Sequence, residues 1–349
     1  MMSDGITSRS GARRRGVRRA YLWLLLAVVI ALPTTALVVP GVFRLIVMQP
    51  ARDTLFFLRE IEPTKHYASI ERHRPTPTVT LRLPAESVEA DDVDIELDVW
   101  IPEHTPAPAV LLLHGASPRG RTLGFNMLLA QRLQKAGWLV VTPDTRGFGG
   151  SGSPRNLREP SAWSVYRDNS RLIEFARAHP LGDGTVTLVG HSQGGSYALQ
   201  AEHEVGALAA LVLIGPRRHV SSDAPDWWIR ARFSSDRRIA RMLPAEVVVE
   251  DLRRTELLSF APSSPKAWAA RPVLLLDGER EGPQSAAMLA SAAAHMGPNV
   301  VNLTVPGSHH YCGAYQLPWP FRTVFLRPEV FDRCLEVLID FLSSASTQT

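Results

Sequence analysis

Five consecutive residues, Gly190-His191-Ser192-Gln193-Gly194, hold a serine in a setting suited to nucleophilic chemistry. An apolar run, Thr185-Val186-Thr187-Leu188-Val189, precedes them, and the stretch 195–205 that follows reads as a helix. Strand, then Gly-x-Ser-x-Gly, then helix is the context of a sharp turn that lifts a serine hydroxyl above a sheet edge. The turn demands small residues two before and two after the serine, because a side chain at Gly190 or Gly194 would meet the neighbouring strand or helix. A serine hydroxyl is a weak nucleophile at its own pKa and needs an adjacent base. Downstream, Pro306-Gly307-Ser308-His309-His310 supplies two histidines, and Leu276-Asp277-Gly278-Glu279-Arg280-Glu281 supplies three carboxylates.

Such chemistry needs a rigid frame, and the chain predicts one from residue 78 onward. Strands are expected at 79–83, 93–101, 109–113, 138–142, 186–189, 208–214, 273–276 and 300–305. Helices are expected at 123–136, 162–178, 195–205, 286–295 and 328–342. Alternation of strand and helix with short connections predicts a mainly parallel sheet with helices on both faces. In 93–101, Val93, Ile95, Leu97 and Val99 alternate with Asp94, Glu96 and Asp98, which predicts an antiparallel pair with one solvated face. Residues 216–271 interrupt the pattern with Trp227-Trp228, many arginines and a proline-rich tract. An insertion leaving the C-terminal end of a parallel strand reads as a lid over the serine, with a surface excursion as the alternative.

Over roughly residues 78–345 the chain resembles the α/β-hydrolase superfamily. The resemblance rests on the order of His114-Gly115, then Asp144-Thr145-Arg146-Gly147-Phe148-Gly149-Gly150-Ser151, the turn at Ser192 and a late histidine. It implies the α/β-hydrolase fold: a mainly parallel eight-stranded sheet with helices on both faces and a short lid at 216–271. It also implies a serine, acid, histidine triad in that chain order. The family's Gly-x-x-His spacing selects His310, while His309 fits a version one residue shorter. Glu281 occupies the position of the family's aspartate; the glutamate is a departure, and Asp277 and Glu279 stay as alternatives. The oxyanion would be met by the backbone N–H groups of Ala116 and Gln193. His114 and Arg146 read as braces for their loops. No cofactor or metal is expected. The implied activity is a serine esterase or lipase-like hydrolase acting on a small-molecule or lipid acyl group. A peptidase or acyltransferase of the same fold is the alternative, and a non-catalytic binding protein that keeps the fold is the rival.

The N-terminal end indicates where such a domain works. Residues 1–19 form a basic tail with Arg9, Arg13, Arg14, Arg15, Arg18 and Arg19 against one acid, Asp4. Residues 20–43 are uncharged and apolar, and a helix of that length spans about 36 Å, against about 30 Å of bilayer hydrocarbon. Arginines on its N-terminal side predict a single-pass signal anchor with the rest of the chain outside the cytoplasm. A cleaved signal peptide and secretion form the alternative, although Thr34-Thr35-Ala36 is a poor cleavage site. Residues 44–77 connect anchor to domain. The chain carries a net charge of +4, and the tail accounts for all of it, so no nucleic-acid partner is expected. An exported domain permits a bridge between Cys312 and Cys334 that would pin the histidine loop to the last helix, but two unpaired thiols are the preferred reading. The aromatic stretch Tyr311, Tyr315, Trp319, Phe321 and Phe325 is expected to pack on the last helix, with a pocket wall or a bilayer contact as alternatives.

Overall fold

In the computed structural model the described residues are 68–70, 75–87, 92–163, 165–216, 225–233, 236–240, 243–254, 268–316 and 324–346. The basic tail, the apolar segment 20–43 and most of 44–77 lie outside them, as do Trp319 and Phe321. Among the described residues no helix is long and apolar enough to cross a membrane.

The strands are buried on both faces at 107–113, 139–143, 210–214 and 273–278, and mostly exposed at 79–83 and 300–305. Numbered along the chain, they are β1 (Ala68–Ile70), β2 (Val79–Leu83), β3 (Ile95–Trp100), β4 (Ala107–Leu113), β5 (Leu139–Pro143), β6 (Gly182–His191), β7 (Ala210–Ile214), β8 (Val273–Gly278), β9 (Val300–Val305), β10 (Ala314–Gln316) and β11 (Val324–Leu326). Eight of them form one sheet in the order β2-β3-β5-β4-β6-β7-β8-β9. The β2–β3 and β3–β5 pairs are antiparallel, and every pair from β5 to β9 is parallel. The helices are α1 (Gly124–Lys135), α2 (Tyr166–Arg177), α3 (Gln193–Leu199), α4 (Asp226–Arg232), α5 (Arg237–Ala240), α6 (Ala245–Arg254), α7 (Pro283–Met296) and α8 (Pro328–Ser346).

Side chains alternate across the sheet and feed two cores. Leu111, Leu113 and Leu188 join Leu172 and Ile173 of α2 and Leu289 of α7 on one face. Val110, Leu112, Val189 and Ile214 join Phe125 and Leu133 of α1 and Phe331 and Leu338 of α8 on the other. Each fully buried leucine of this kind contributes about 2 kcal/mol. The frame therefore holds both strand ends rigidly, which a catalytic turn needs.

Several elements depart from the sequence expectation. The acidic face of β3 is only partly solvated: Glu96 is half-buried, Asp98 is buried, and Arg121 pairs with Glu96, with Asp98 at 3.1 Å and with Asp144. Burial alone would lower the Arg121 pKa, but Asp144, Asp98 and Glu96 outweigh it and raise it above the ordinary value. The helix after Ser192 ends at Leu199, where the N–H groups of Gln200 and Ala201 turn to Tyr197 and Ala198 three residues back. A 3-10 segment, Glu202–Ala207, replaces its expected continuation. Likewise α2 starts at Tyr166, because the Val165 N–H is taken by the Gln200 side chain at 2.6 Å.

Residues 68–70, expected as connecting chain, form β1 and pair with β11 in a second, three-stranded antiparallel sheet with β10. Through Ala314, Val324 and Leu326 this sheet packs into the same core as Phe331 of α8, and of the aromatic stretch Tyr311 packs against that core. The described helices of the 216–271 insertion carry a small core of their own, Ile229, Phe233, Ile239, Val248 and Val249. Arg237 ties them to the loop after β5 by donating to the carbonyls of Gly149 (2.5 Å) and Ser151 (3.0 Å). The Arg238 guanidinium stands 5.4 Å over the Trp163 ring.

Candidate active site

The turn between β6 and α3 holds Ser192 at φ 55°, ψ −118°. A non-glycine residue at such a φ is strained by about 1–3 kcal/mol and persists only where its surroundings fix it. Here the Ser192 N–H donates to the Ile214 carbonyl at 2.9 Å, and its own carbonyl accepts from the Gly195 N–H at 3.0 Å. The flanking glycines are sterically required. A Cβ on Gly190 would stand 2.4 Å from the Gly194 carbonyl oxygen, and one on Gly194 would stand 2.3 Å from that of Leu113. The same close approach brings the loop after β4 against the serine, with a Cβ on Gly115 reaching to 3.0 Å from the Ser192 Cβ. Ser192 is half-buried, whereas His191 and Gln193 on either side of it are buried.

Ala116 follows Gly115 in that loop and is half-buried. Gln193 opens α3 and turns its side-chain amide to the Tyr197 hydroxyl at 2.6 Å. Gln193 thus adjoins Ser192 along the chain, and Ala116 follows the Gly115 that closes on it. His114 and Arg146 lie where braces should. His114 donates from Nδ1 to the Gly115 carbonyl at 2.7 Å and accepts the Thr145 N–H on Nε2 at 3.0 Å, so it joins the loops after β4 and β5. Arg146 forms a two-pronged pair with Asp168 at 2.6 and 2.7 Å and donates to the Ala162 carbonyl.

The three acidic candidates lie at the end of β8 and just beyond it. Asp277 is buried within the strand. Glu279 accepts the Gly307 N–H at 2.8 Å. Glu281 has a carboxylate oxygen 3.7 Å from Nδ1 of His310. That is ion-pair reach and longer than a hydrogen bond, as is common before a substrate tightens a site. The two histidines differ in burial. His309 is 4 % exposed and part of the interior. His310 is half-buried, and its ring lies on Gly215, where a Cβ would come within 3.1 Å of Nδ1. Gly215 follows the Ile214 whose carbonyl holds Ser192, so Ser192, His310 and Glu281 all gather at the C-terminal edge of the sheet.

The histidine loop is stitched to its surroundings. The Arg280 N–H donates to the Ser308 carbonyl at 3.0 Å, and Glu279 holds Gly307. Two residues past His310, Cys312 and Cys334 form a disulfide with Cα atoms 6.0 Å apart. This corrects the preference for unpaired thiols. Cys312, at φ 49°, turns the chain back over α8 and so meets a cysteine 22 residues on. In a chain-entropy account a closed loop of that size stabilises by on the order of 3 kcal/mol.

The sequence offered no signal for one participant. His191, the residue before the serine, is buried between Phe125 and the rings of His310 and Tyr311. Burial, followed by the neighbouring charge of His310, holds its pKa well below 6.5, and burial also lowers that of His114. Both rings are neutral in the folded protein, while in the unfolded chain they protonate near 6.5. Below that pH the unfolded state binds more protons, so stability falls as the pH drops from about 7 to 5. The expected slope is up to about 1.4 kcal/mol per pH unit for each ring. Asp168, whose pKa burial raises, works in the opposite sense in more acidic solution. Unfolding midpoints measured from pH 8 to 5 check the slope, and a flat series would mean that the rings accept protons in place.

Among the described residues no group of histidine, cysteine, aspartate and glutamate has the arrangement of a metal site. The profile of the Alpha/beta hydrolase family matches residues 110–331. Solved structures with a similar fold include a putative hydrolase from Agrobacterium vitis S4, 19 % identical, covering 76 % of this chain and 99 % of that one with a TM-score of 0.53. A soluble variant of monoglyceride lipase from Saccharomyces cerevisiae is 16 % identical and covers 78 % of this chain and 97 % of the other, with a TM-score of 0.54. A thermostable carboxyl esterase from Bacillus coagulans is 15 % identical and covers 77 % and 99 %, with a TM-score of 0.52. An uncharacterized protein of Mycobacterium tuberculosis is 31 % identical over 118 residues, 33 % of this chain and 31 % of that protein. The chain thus spans about a third of the length of the curated relatives it matches.

Proposed function

This chain belongs to the alpha/beta hydrolase family, and on that premise we propose that it is a serine hydrolase of esterase or lipase type, held at a membrane by residues 20–43. The observation that carries the reading is the strained Ser192 at the β6–α3 turn, with the His310–Glu281 pair on the same sheet edge. In this reading His310 takes the proton of the Ser192 hydroxyl as Oγ bonds to the carbonyl carbon of an acyl substrate. Glu281 steadies the imidazolium that results. The tetrahedral oxyanion receives the N–H groups of Gln193 and Ala116, and the helix N-terminus behind Gln193 favours its charge. Collapse expels the alcohol, which leaves with the proton that His310 returns to it. Water then repeats the sequence on the acyl-enzyme and frees the acid. An ester fits better than an amide by analogy with the named structural neighbours, a monoglyceride lipase and a carboxyl esterase. The arginines before residue 20 favour an extracytoplasmic domain.

One experiment tests both halves. Cells expressing the full chain are treated with a fluorophosphonate probe, and the labelled protein is followed through membrane fractionation. Labelling in a pellet that resists high salt is the expected result. A well-folded chain that takes up no label would overturn the hydrolase reading, and label in the soluble fraction would overturn anchoring. A panel of p-nitrophenyl esters of rising acyl length, set beside peptide amides, then separates esterase from peptidase.

A further inference from the structure

His191 stands immediately before the nucleophile, yet its side chain belongs to the base. Its backbone closes β6 beside Ile214 of β7, while its ring lies 5.0 Å from the His310 ring, 5.1 Å from that of Tyr311 and 4.5 Å from that of Phe125. Nε2 is 2.9 Å from the main-chain carbonyl oxygen of His310. A carbonyl only accepts, so the imidazole proton sits on Nε2 and Nδ1 is bare. The bare nitrogen has no hydrogen-bond partner among the described residues, and it faces Gly115, where a Cβ would come within 3.0 Å.

The ring is thus a strut between two backbones. One end is covalently joined to Ser192 and the other is bonded to the peptide of His310. The contacts from Glu279 and Arg280 tie the histidine loop to β8, and Cys312 ties it to α8. The bond from His191 ties it to the turn that carries the nucleophile. We propose that His191 is a positioning residue, which fixes the His310 main chain relative to Ser192 so that the hydroxyl and the imidazole meet in one geometry. The proposal rests on the serine-hydrolase reading above. The groups that bear electrostatically on the ring are His310, His114 and Glu281, and burial outweighs them in keeping it uncharged. A neutral donor in this place holds the loop without setting a positive charge beside the base.

The test compares wild type with His191→Phe, which keeps a planar ring but has no N–H, and with His191→Gln, whose amide reaches the same carbonyl. Readouts are p-nitrophenyl acetate hydrolysis across pH and the rate of fluorophosphonate labelling. Misplacing reacting groups by about an ångström costs on the order of 100-fold. Accordingly His191→Phe is expected to lower kcat and the labelling rate about 10- to 100-fold with KM nearly unchanged, and to move the acidic limb of the kcat profile. His191→Gln should recover most of the rate. Equal rates in wild type and folded His191→Phe overturn the proposal, and so does equal impairment of the Phe and Gln variants, which would mark a packing role. Should His191→Phe fail to fold, His191→Asn takes its place: it stays polar but falls short of the carbonyl. The same loss is then expected, and wild-type rates overturn the idea. Ser192→Ala run alongside keeps the two readings apart. If it remains active the hydrolase reading falls and this proposal with it, whereas an inactive Ser192→Ala beside a normal His191→Phe defeats only the role of His191.

Discussion

Ser192→Ala is expected to abolish covalent labelling by a fluorophosphonate and to reduce ester hydrolysis roughly 10⁴- to 10⁶-fold, while the protein stays folded. The loss is large because the other groups serve this oxygen. On the proposed reading His310 takes the proton of this hydroxyl, and the N–H groups of Gln193 and Ala116 meet an oxyanion that forms only after Oγ attacks. The fold survives because alanine inherits the same backbone. Ser192 sits at φ 55°, held by the bonds of its N–H to Ile214 and of its carbonyl to Gly195, and neither involves the hydroxyl. Ser192→Gly sharpens the point. It should be equally inactive and yet more stable by about 1 kcal/mol, because glycine adopts that φ without strain. Label retained on Ser192→Ala would move the nucleophile elsewhere and end the reading.

His310→Ala and His309→Ala are expected to differ by more than a factor of 1,000 in kcat/KM, although the residues are neighbours. Removing the base costs about as much as removing the nucleophile, because the two act as one unit. His310 is the half-buried member, its ring on Gly215 and its Nδ1 3.7 Å from Glu281. His309 is interior, so its replacement leaves a small cavity and is expected to lower stability by about 1–3 kcal/mol with little change in rate. Kinetics and thermal unfolding on the two single variants separate the roles. Equal rate losses would transfer the base to His309 or share it between both.

Much of the frame was legible in the chain because burial writes itself into local pattern. Leu111-Leu112-Leu113 and Leu274-Leu275-Leu276 are apolar on both faces and form central parallel strands. The expectation for β9, 300–305, matches the strand observed. Where prediction went astray, the cause was a partner distant in sequence. Nothing near Asp98 announces Arg121, so the acidic face of β3 read as solvated. Nothing near Ala68 announces Leu326, so β1 read as connecting chain. Nothing near Val165 announces the Gln200 side chain that takes its N–H, so α2 begins at Tyr166 and not at 162.

The site divides along the same line. By itself the sequence determined the glycines that permit the Ser192 turn, which depend on local backbone geometry, while its resemblance to the family implied the order of serine, acid and histidine and the short windows in which acid and base are expected. Only the tertiary structure set Glu281 3.7 Å from Nδ1 of His310, put His309 in the interior, joined Cys312 to Cys334 and set His191 against the His310 carbonyl. Those choices turn on distances of a few ångströms between segments far apart along the chain. Adjacent residues on one loop differ in them because the backbone sends their side chains in different directions, which only the packed sheet and its loops fix.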